Sequence, residues 1–385
     1  MHYTLFIGFV YLIRIAIFTP NINQYLSDHR EIKMTGTTAL RIIDHQLMPG
    51  DNVVIKFTAE NGQKIYYHPG QFLVFSFLIN GKELRRSYSI SSTPYLDEPL
   101  TIAVKLVENG EITKFLHHKV GIGDVLQALP PNGIFTYQPQ PNFKRTVFLF
   151  AAGIGITPIY SILKTALTTE EKSKVVLIYS NKTLNEALFH SELKVWEAKY
   201  PDRLKVIYIF SDAKNLLHAR LNNVRIEHIV DNFMDFEKDD ALFYTCGPIN
   251  YMVLCRITLR ALGFAQEQIK RETYFIPEDE MDEDDMTEKT PKDTNTYSVI
   301  IDYQDKTYHL DVPYHKRILD VALDQHINLP YSCRAGMCST CTSTCTAGGV
   351  RMEYNEVLTD QEIENGRVLI CTGHPTANNT RIVIG

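Results

Sequence analysis

The chain has 385 residues, 44% of them apolar and 22% charged, as in an ordinary soluble protein long enough for two or three domains. Its net charge of −6 gives no nucleic-acid footprint. Residues 3–19 are apolar except for Arg14, and Pro20 ends the run. Seventeen residues with an internal arginine make a poor membrane span, and a signal peptide would have a basic start and a small-residue cleavage site. We read residues 1–34 first as an over-extended gene start and second as an interfacial anchor, so membrane contact through residues 3–19 is not favoured.

Residues 35–140 carry short alternating runs, 52–57, 72–77, 87–90 and 100–106, punctuated by Asn61-Gly62, Pro69-Gly70 and Asn80-Gly81. That rhythm predicts a small antiparallel barrel. From residue 141 to 276 it changes. Continuous apolar strands at 145–150, 175–179, 205–210 and 241–244 alternate with helical patterns up to Leu167, at 188–200 and at 249–262. A parallel doubly wound α/β sheet follows. Gly153-Ile154-Gly155-Ile156-Thr157-Pro158 leaves the first of these strands and opens a helix, the context for phosphate binding at a helix N-terminus. As a bare G-x-G it is weak, because the third glycine of the Rossmann fingerprint is missing. Cys246, in Tyr244-Thr245-Cys246-Gly247-Pro248, is either a core thiol or a site residue, and its place at a strand's C-terminal end favours the site.

Residues 277–296 form an acidic linker. Nine acids and two lysines between 277 and 295 give it a net charge of −7. Like-charge repulsion and few large aliphatics predict a disordered tether.

The last unit, 297–385, opens with a hairpin pattern at 297–303 and 307–312 and a helix at 318–326. Thr359-x-x-Glu362 is a capping box. Cys333, Cys338 and Cys341 have C-x4-C-x2-C spacing, and Cys371 follows after 29 intervening residues. That is the plant-type [2Fe-2S] pattern, with three thiolates from one tight loop and a fourth from a distant apolar run. A zinc site would usually pair its knuckles, and Cys371 has no cysteine partner. Cys345 lacks the companions of a [4Fe-4S] run, and Cys371-x2-His374 has no C-x-H half for a Rieske centre, so Cys345 reads as a spectator. A sheet gripping a helix, with the cysteine loop beside it, fits a β-grasp ferredoxin. Thiols given over to iron imply a reducing, cytoplasmic setting.

Arg86-Ser87-Tyr88-Ser89, preceded by Pro69-Gly70-Gln71-Phe72, resembles the R-x-Y-S flavin motif of the ferredoxin–NADP reductase superfamily. The resemblance continues through Val104-Lys105, Gly110-Glu111-Ile112-Thr113 (usually serine at Thr113), the G-x-G-x-T-P loop, Cys246-Gly247-Pro248, and Glu272-Thr273-Tyr274 as the E-x-aromatic end of the reductase unit. It implies FAD held by Arg86 at its pyrophosphate, by Tyr88 against its ring, by Ser89 near N5, and by Val104, Lys105, Gly110 and Thr113. It further implies a nicotinamide placed by Gly153, Gly155, Thr157, Pro158, Cys246, Gly247, Pro248 and Tyr274, with Ser89 and Cys246 as the catalytic pair.

The domain order resembles that of oxygenase reductases of the phenylacetyl-CoA epoxidase type and is similar also to ketosteroid hydroxylase reductases. The implied route runs from NAD(P)H to FAD, to the [2Fe-2S] cluster, to an external oxygenase, because flavin bridges two-electron and one-electron chemistry. The alternatives are a reductase of another oxygenase, hydroxylase or desaturase, and a cluster-based redox sensor. After the strand at 175–179 no acidic residue awaits a ribose 2′-hydroxyl, whereas Lys182, with Arg220 across the site, suits a 2′-phosphate; NADPH is expected over NADH.

Overall fold

The structure, a computed structural model, describes residues 37–79, 82–212, 220–274 and 295–385. The expectations for residues 1–34 and for most of the acidic linker lie outside them. From Thr37 onward the chain forms one compact unit. No helix among the described residues is long and apolar enough to cross a membrane.

The first sheet holds six antiparallel strands: β1 (Thr38–Met48), β2 (Asn52–Ala59), β3 (Phe72–Ile79), β4 (Lys82–Ser89), β5 (Leu100–Lys105) and β6 (Val125–Ala128). Their order is β4-β3-β6-β1-β2-β5, and a bridge between Ile90 and Ile102 joins the two edges into the expected barrel. β1 is not legible as a strand in the sequence. Leu40 and Ile42 alternate inward, but a register shift between Ile42 and Asp44 then breaks the period. Helix α1 (Glu111–His118) buries Ile112 and Leu116, and its His117 shares a hydrogen bond with the Val104 carbonyl at 3.1 Å.

The second sheet is wholly parallel: β7 (Thr146–Ala152), β8 (Lys174–Asn181), β9 (Leu204–Phe210), β10 (Ala241–Cys246) and β11 (Ile269–Glu272), in the order β11-β10-β7-β8-β9. Chain order reverses at β7, so the crevice for a ligand lies between the C-terminal ends of β7 and β10. Helices α2 (Ile156–Thr169), α3 (His190–Lys199), α4 (Asn223–Phe233) and α5 (Ile249–Ala261) complete the unit.

Barrel and α/β unit are locked through α2. Thr165 meets Thr93 at 2.6 Å, Ser161 donates to the Ser92 carbonyl at 2.6 Å, and Lys164 pairs with Glu98 at 2.5 Å. Arg145 and Glu170 form a buried pair that also engages Tyr137. Burial alone would raise the Glu170 carboxyl, but hydrogen bonds from Arg145 and Ser173 hold it below its ordinary value. Losing either partner would strand a buried charge, at a cost of about 3–5 kcal/mol.

The third sheet is β13-β12-β18-β14-β16, built from β12 (Thr296–Tyr303), β13 (Lys306–Pro313), β14 (Thr342–Ala347), β16 (Arg367–Leu369) and β18 (Thr380–Ile384). Only β12 and β18 pair in parallel. β15 (Val350–Met352) and β17 (Gly373–Pro375) make a small second ladder. The sheet grips helix α6 (Ile318–Asp324), which buries Ile318, Leu319, Val321 and Ala322. Helix α7 (Asp360–Glu364) starts at the expected capping box.

Candidate active site

β4 is where the three parts meet, and its period of two decides how. Arg86 and Tyr88 share one face. Arg86 is exposed, and its guanidinium rests on the Arg85 carbonyl at 2.8 Å. Tyr88 packs beside Phe75, with ring centres 6.1 Å apart, and burial raises its phenol above the ordinary value. Arg85, Ser87 and Ser89 project from the other face. Ser89 is buried and lies 3.5 Å from the Tyr274 hydroxyl, a contact at the outer limit of hydrogen bonding.

Tyr274 also reaches the Ile154 carbonyl at 3.4 Å and neighbours the Cys246 thiol. Ser89, Cys246, Tyr274 and the Gly153–Gly155 turn are thus gathered at the β7/β10 crevice. Cys246 is fully buried, and burial raises its thiol well above the ordinary range. The turn fits only because Gly155 has no side chain: a Cβ there would stand 2.3 Å from the Cys246 carbonyl oxygen. Thr157 donates to the Ile154 carbonyl at 2.6 Å and secures the first turn of α2. No side chain caps that helix, so its leading N–H groups suit a phosphate. Gly247 is buried and Pro248 exposed at the end of β10.

Other predicted residues lie apart from this group. Val104 is in the barrel core, and Lys105 is exposed at the strand end beside it. Gly110 is the N-cap of α1, which also lacks a side-chain cap, and Thr113 ties that turn by donating to the Gly110 carbonyl at 3.0 Å. Lys182 and Arg220 are both exposed.

The four cysteines converge. The Cys333 N–H points at the Cys338 sulfur and the Ala335 N–H at the Cys333 sulfur, each at 3.4 Å. Cys333 links to Cys338 and Cys371, and Cys371 to Cys341. Hydrogen bonds from Cys338 and Cys371 hold Cys333 far below the ordinary thiol range. Gly336 turns the loop at φ 71°, and a Cβ there would meet the Tyr354 carbonyl oxygen at 2.5 Å. Among the described residues no three His, Cys, Asp or Glu side chains could hold one metal ion between them. Four thiols gathered at one loop, with loop N–H groups aimed at sulfur, suit a [2Fe-2S] cluster.

Three family descriptions match in chain order: the oxidoreductase FAD-binding domain over residues 39–137, the oxidoreductase NAD-binding domain over 149–256, and the 2Fe-2S iron-sulfur cluster binding domain over 301–376. The chain is 32% identical over 351 residues to one of the subunits of the 1,2-phenylacetyl-CoA epoxidase of Escherichia coli (strain K12), covering 90% of this chain and 97% of that one. The chain belongs to the ferredoxin–NADP reductase superfamily. It has that superfamily's form with a C-terminal [2Fe-2S] domain, and it is an oxidoreductase of the kind that serves oxygenases. It is also 29% identical over 334 residues to the ferredoxin reductase component of a 3-ketosteroid-9-alpha-monooxygenase from Rhodococcus rhodochrous, covering 86% and 92% of the two chains. In fold it is similar to phthalate dioxygenase reductase, with a TM-score of 0.55 at 20% identity over 90% of this chain and 97% of that one.

Sequence reasoning passes over two buried charged residues, one beside Cys246 and one on β4. Glu272 stands in the E-x-aromatic segment but does not count there among the site residues. It is buried beside Cys246 and Tyr274, and burial pushes its carboxyl up to about 8. Arg85 is overshadowed by its neighbour Arg86. A strand alternation that leaves both faces polar is the available signal.

Proposed function

We propose that the chain passes electrons from NADPH through FAD and a [2Fe-2S] cluster to an oxygenase of the phenylacetyl-CoA epoxidase type. The single observation that carries this reading is the polar face of β4: Ser89 meets the nicotinamide unit through Tyr274, and two residues earlier Ser87 meets Ser332, next to Cys333. Electron donor and electron acceptor therefore flank one strand.

When bound, FAD accepts the hydride pair and releases electrons singly, and the cluster carries them one at a time. The protein's part is to hold and orient. Arg86 would hold the flavin pyrophosphate by charge-assisted hydrogen bonds. Tyr88 would lie against the ring, Ser89 would offer its hydroxyl to the ring's reactive edge, and the N-terminus of α1 would receive phosphate. The Gly153–Pro158 turn holds the nicotinamide nucleotide's phosphates, Cys246-Gly247-Pro248 seats its ring, and Lys182 meets a 2′-phosphate. Cys333, Cys338, Cys341 and Cys371 ligate the irons. Buried Ser89 and Cys246, with half-buried Tyr274 between them, shield the transfer from water.

The test is reconstitution. The purified protein with NADPH and the epoxidase oxygenase component should support product formation. A protein that oxidises NADPH with ferricyanide yet never supports that oxygenase would assign it to another acceptor.

A further inference from the structure

We propose that Arg85 is a positioning residue for electron transfer, clamping the cysteine loop against β4; this rests on the reading of β4 as the flavin strand. Its side chain is 1% exposed. A buried guanidinium is costly unless paired and hydrogen-bonded. Glu83, on the same strand, accepts from Arg85 Nε at 2.6 Å. Every other partner belongs to the ferredoxin domain. Nη2 donates to Asn328 Oδ1 at 2.6 Å, Nη1 to the Leu329 carbonyl at 3.2 Å, and the guanidinium lies 4.3 Å over the Tyr331 ring. The gripped segment runs directly into Ser332 and Cys333.

A second arginine holds the loop from the nicotinamide side. Arg271 donates to the Glu356 carbonyl at 2.9 Å and pairs with its carboxylate at 3.3 Å, while the Glu356 N–H donates to the Gly336 carbonyl at 3.0 Å. The Arg271 and Glu356 side chains are about a third exposed, so salt weakens their pairing. Arg85 is shielded and keeps the domains in register when the outer pair is screened. The step it serves is a one-electron transfer in which the flavin is oxidised and the cluster reduced, without bond making or breaking. Two such transfers clear each hydride pair.

Three full-length holoprotein variants test the clamp: Arg85→Met, Asn328→Ala, and Ser87→Cys combined with Ser332→Cys. The single variants should retain NADPH–ferricyanide activity and slow cluster reduction, followed by stopped-flow absorbance, by about tenfold or more, as expected when reacting partners are misplaced slightly. Hydroxyls 2.7 Å apart put the introduced thiols within disulfide reach, so mild oxidation should give a linked peptide by mass spectrometry. Adding Arg85→Met should lower its yield. Cluster reduction at the unsubstituted rate in Asn328→Ala, or no linked peptide, would overturn the proposal. Those two readings decide it even if Arg85→Met fails to fold. The link reports docking whether or not NADPH is oxidised, so failure of the functional reading appears in the ferricyanide assay alone.

Discussion

The Ser87 hydroxyl donates to the Ser332 hydroxyl at 2.7 Å, joining residues 245 positions apart. One belongs to the flavin motif and the other immediately precedes the first cluster cysteine. The contact makes β4 the shared wall between the flavin and iron–sulfur parts, although an acidic stretch of some twenty residues separates the domains in sequence.

Among the five cysteines of the last domain, cluster ligation should tolerate loss of Cys345 alone. Its thiol donates to the Ala347 carbonyl at 3.3 Å on β14, outside the converging set. Cys345→Ser should keep the visible absorption and the EPR signal of the reduced cluster. Serine at position 333, 338, 341 or 371 should abolish both.

Arg86→Ala should lower FAD occupancy. The exposed guanidinium is spent only on a neighbouring backbone carbonyl and is free to turn to a pyrophosphate. Losing that charge-assisted contact costs roughly 2–3 kcal/mol. Flavin content per protein after gel filtration checks it, and full retention would count against Arg86 as a ligand.

Glu272 should make stability depend on pH. Burial raises its carboxyl from 4.5 to about 8, so between those values the folded chain keeps a proton that the unfolded chain has lost. The stabilisation is complete below about 4.5 and disappears as pH rises through about 8. Glu272→Gln cannot ionise and should lose this slope. Urea unfolding of both proteins without nucleotide, at pH 5 and pH 8, makes the comparison; equal slopes would refute it.

Much of this is legible because it is local. The cysteine spacing, the R-x-Y-S run, the turn at Gly153–Pro158 and the Thr359 capping box each declare themselves within a few residues. β1 is hidden by its bulge, which breaks the alternation that reveals strands. α4 is hidden because its core contacts, Ile226, Ile229 and Val230, are too few to mark a period. The alternation of β4 shows that both its faces are polar, but not what Arg85 binds. Its partners lie about 240 residues later, and only tertiary packing turns an apparently solvated strand face into a buried joint.

Nucleotide choice should turn on Lys182. It stands exposed just past β8, where a ribose 2′-substituent would be met; neither sequence neighbour is acidic, and Asp212 adjoins it through its N–H, which donates to the Lys182 carbonyl at 3.2 Å. Lys182→Glu should shift the kcat/KM ratio from NADPH towards NADH. A parent protein already favouring NADH would remove the basis for that assignment.

The most direct test of the electron route uses full-length Cys338→Ser. Cys338 belongs to the proposed cluster set, while Ser89, Cys246 and Tyr274 gather away from it at the proposed hydride junction. The account predicts that this variant oxidises NADPH with ferricyanide at a near-normal rate and delivers nothing to the partner oxygenase. Oxygenase turnover sustained by Cys338→Ser would contradict it, because electrons would then leave without passing through the iron–sulfur centre.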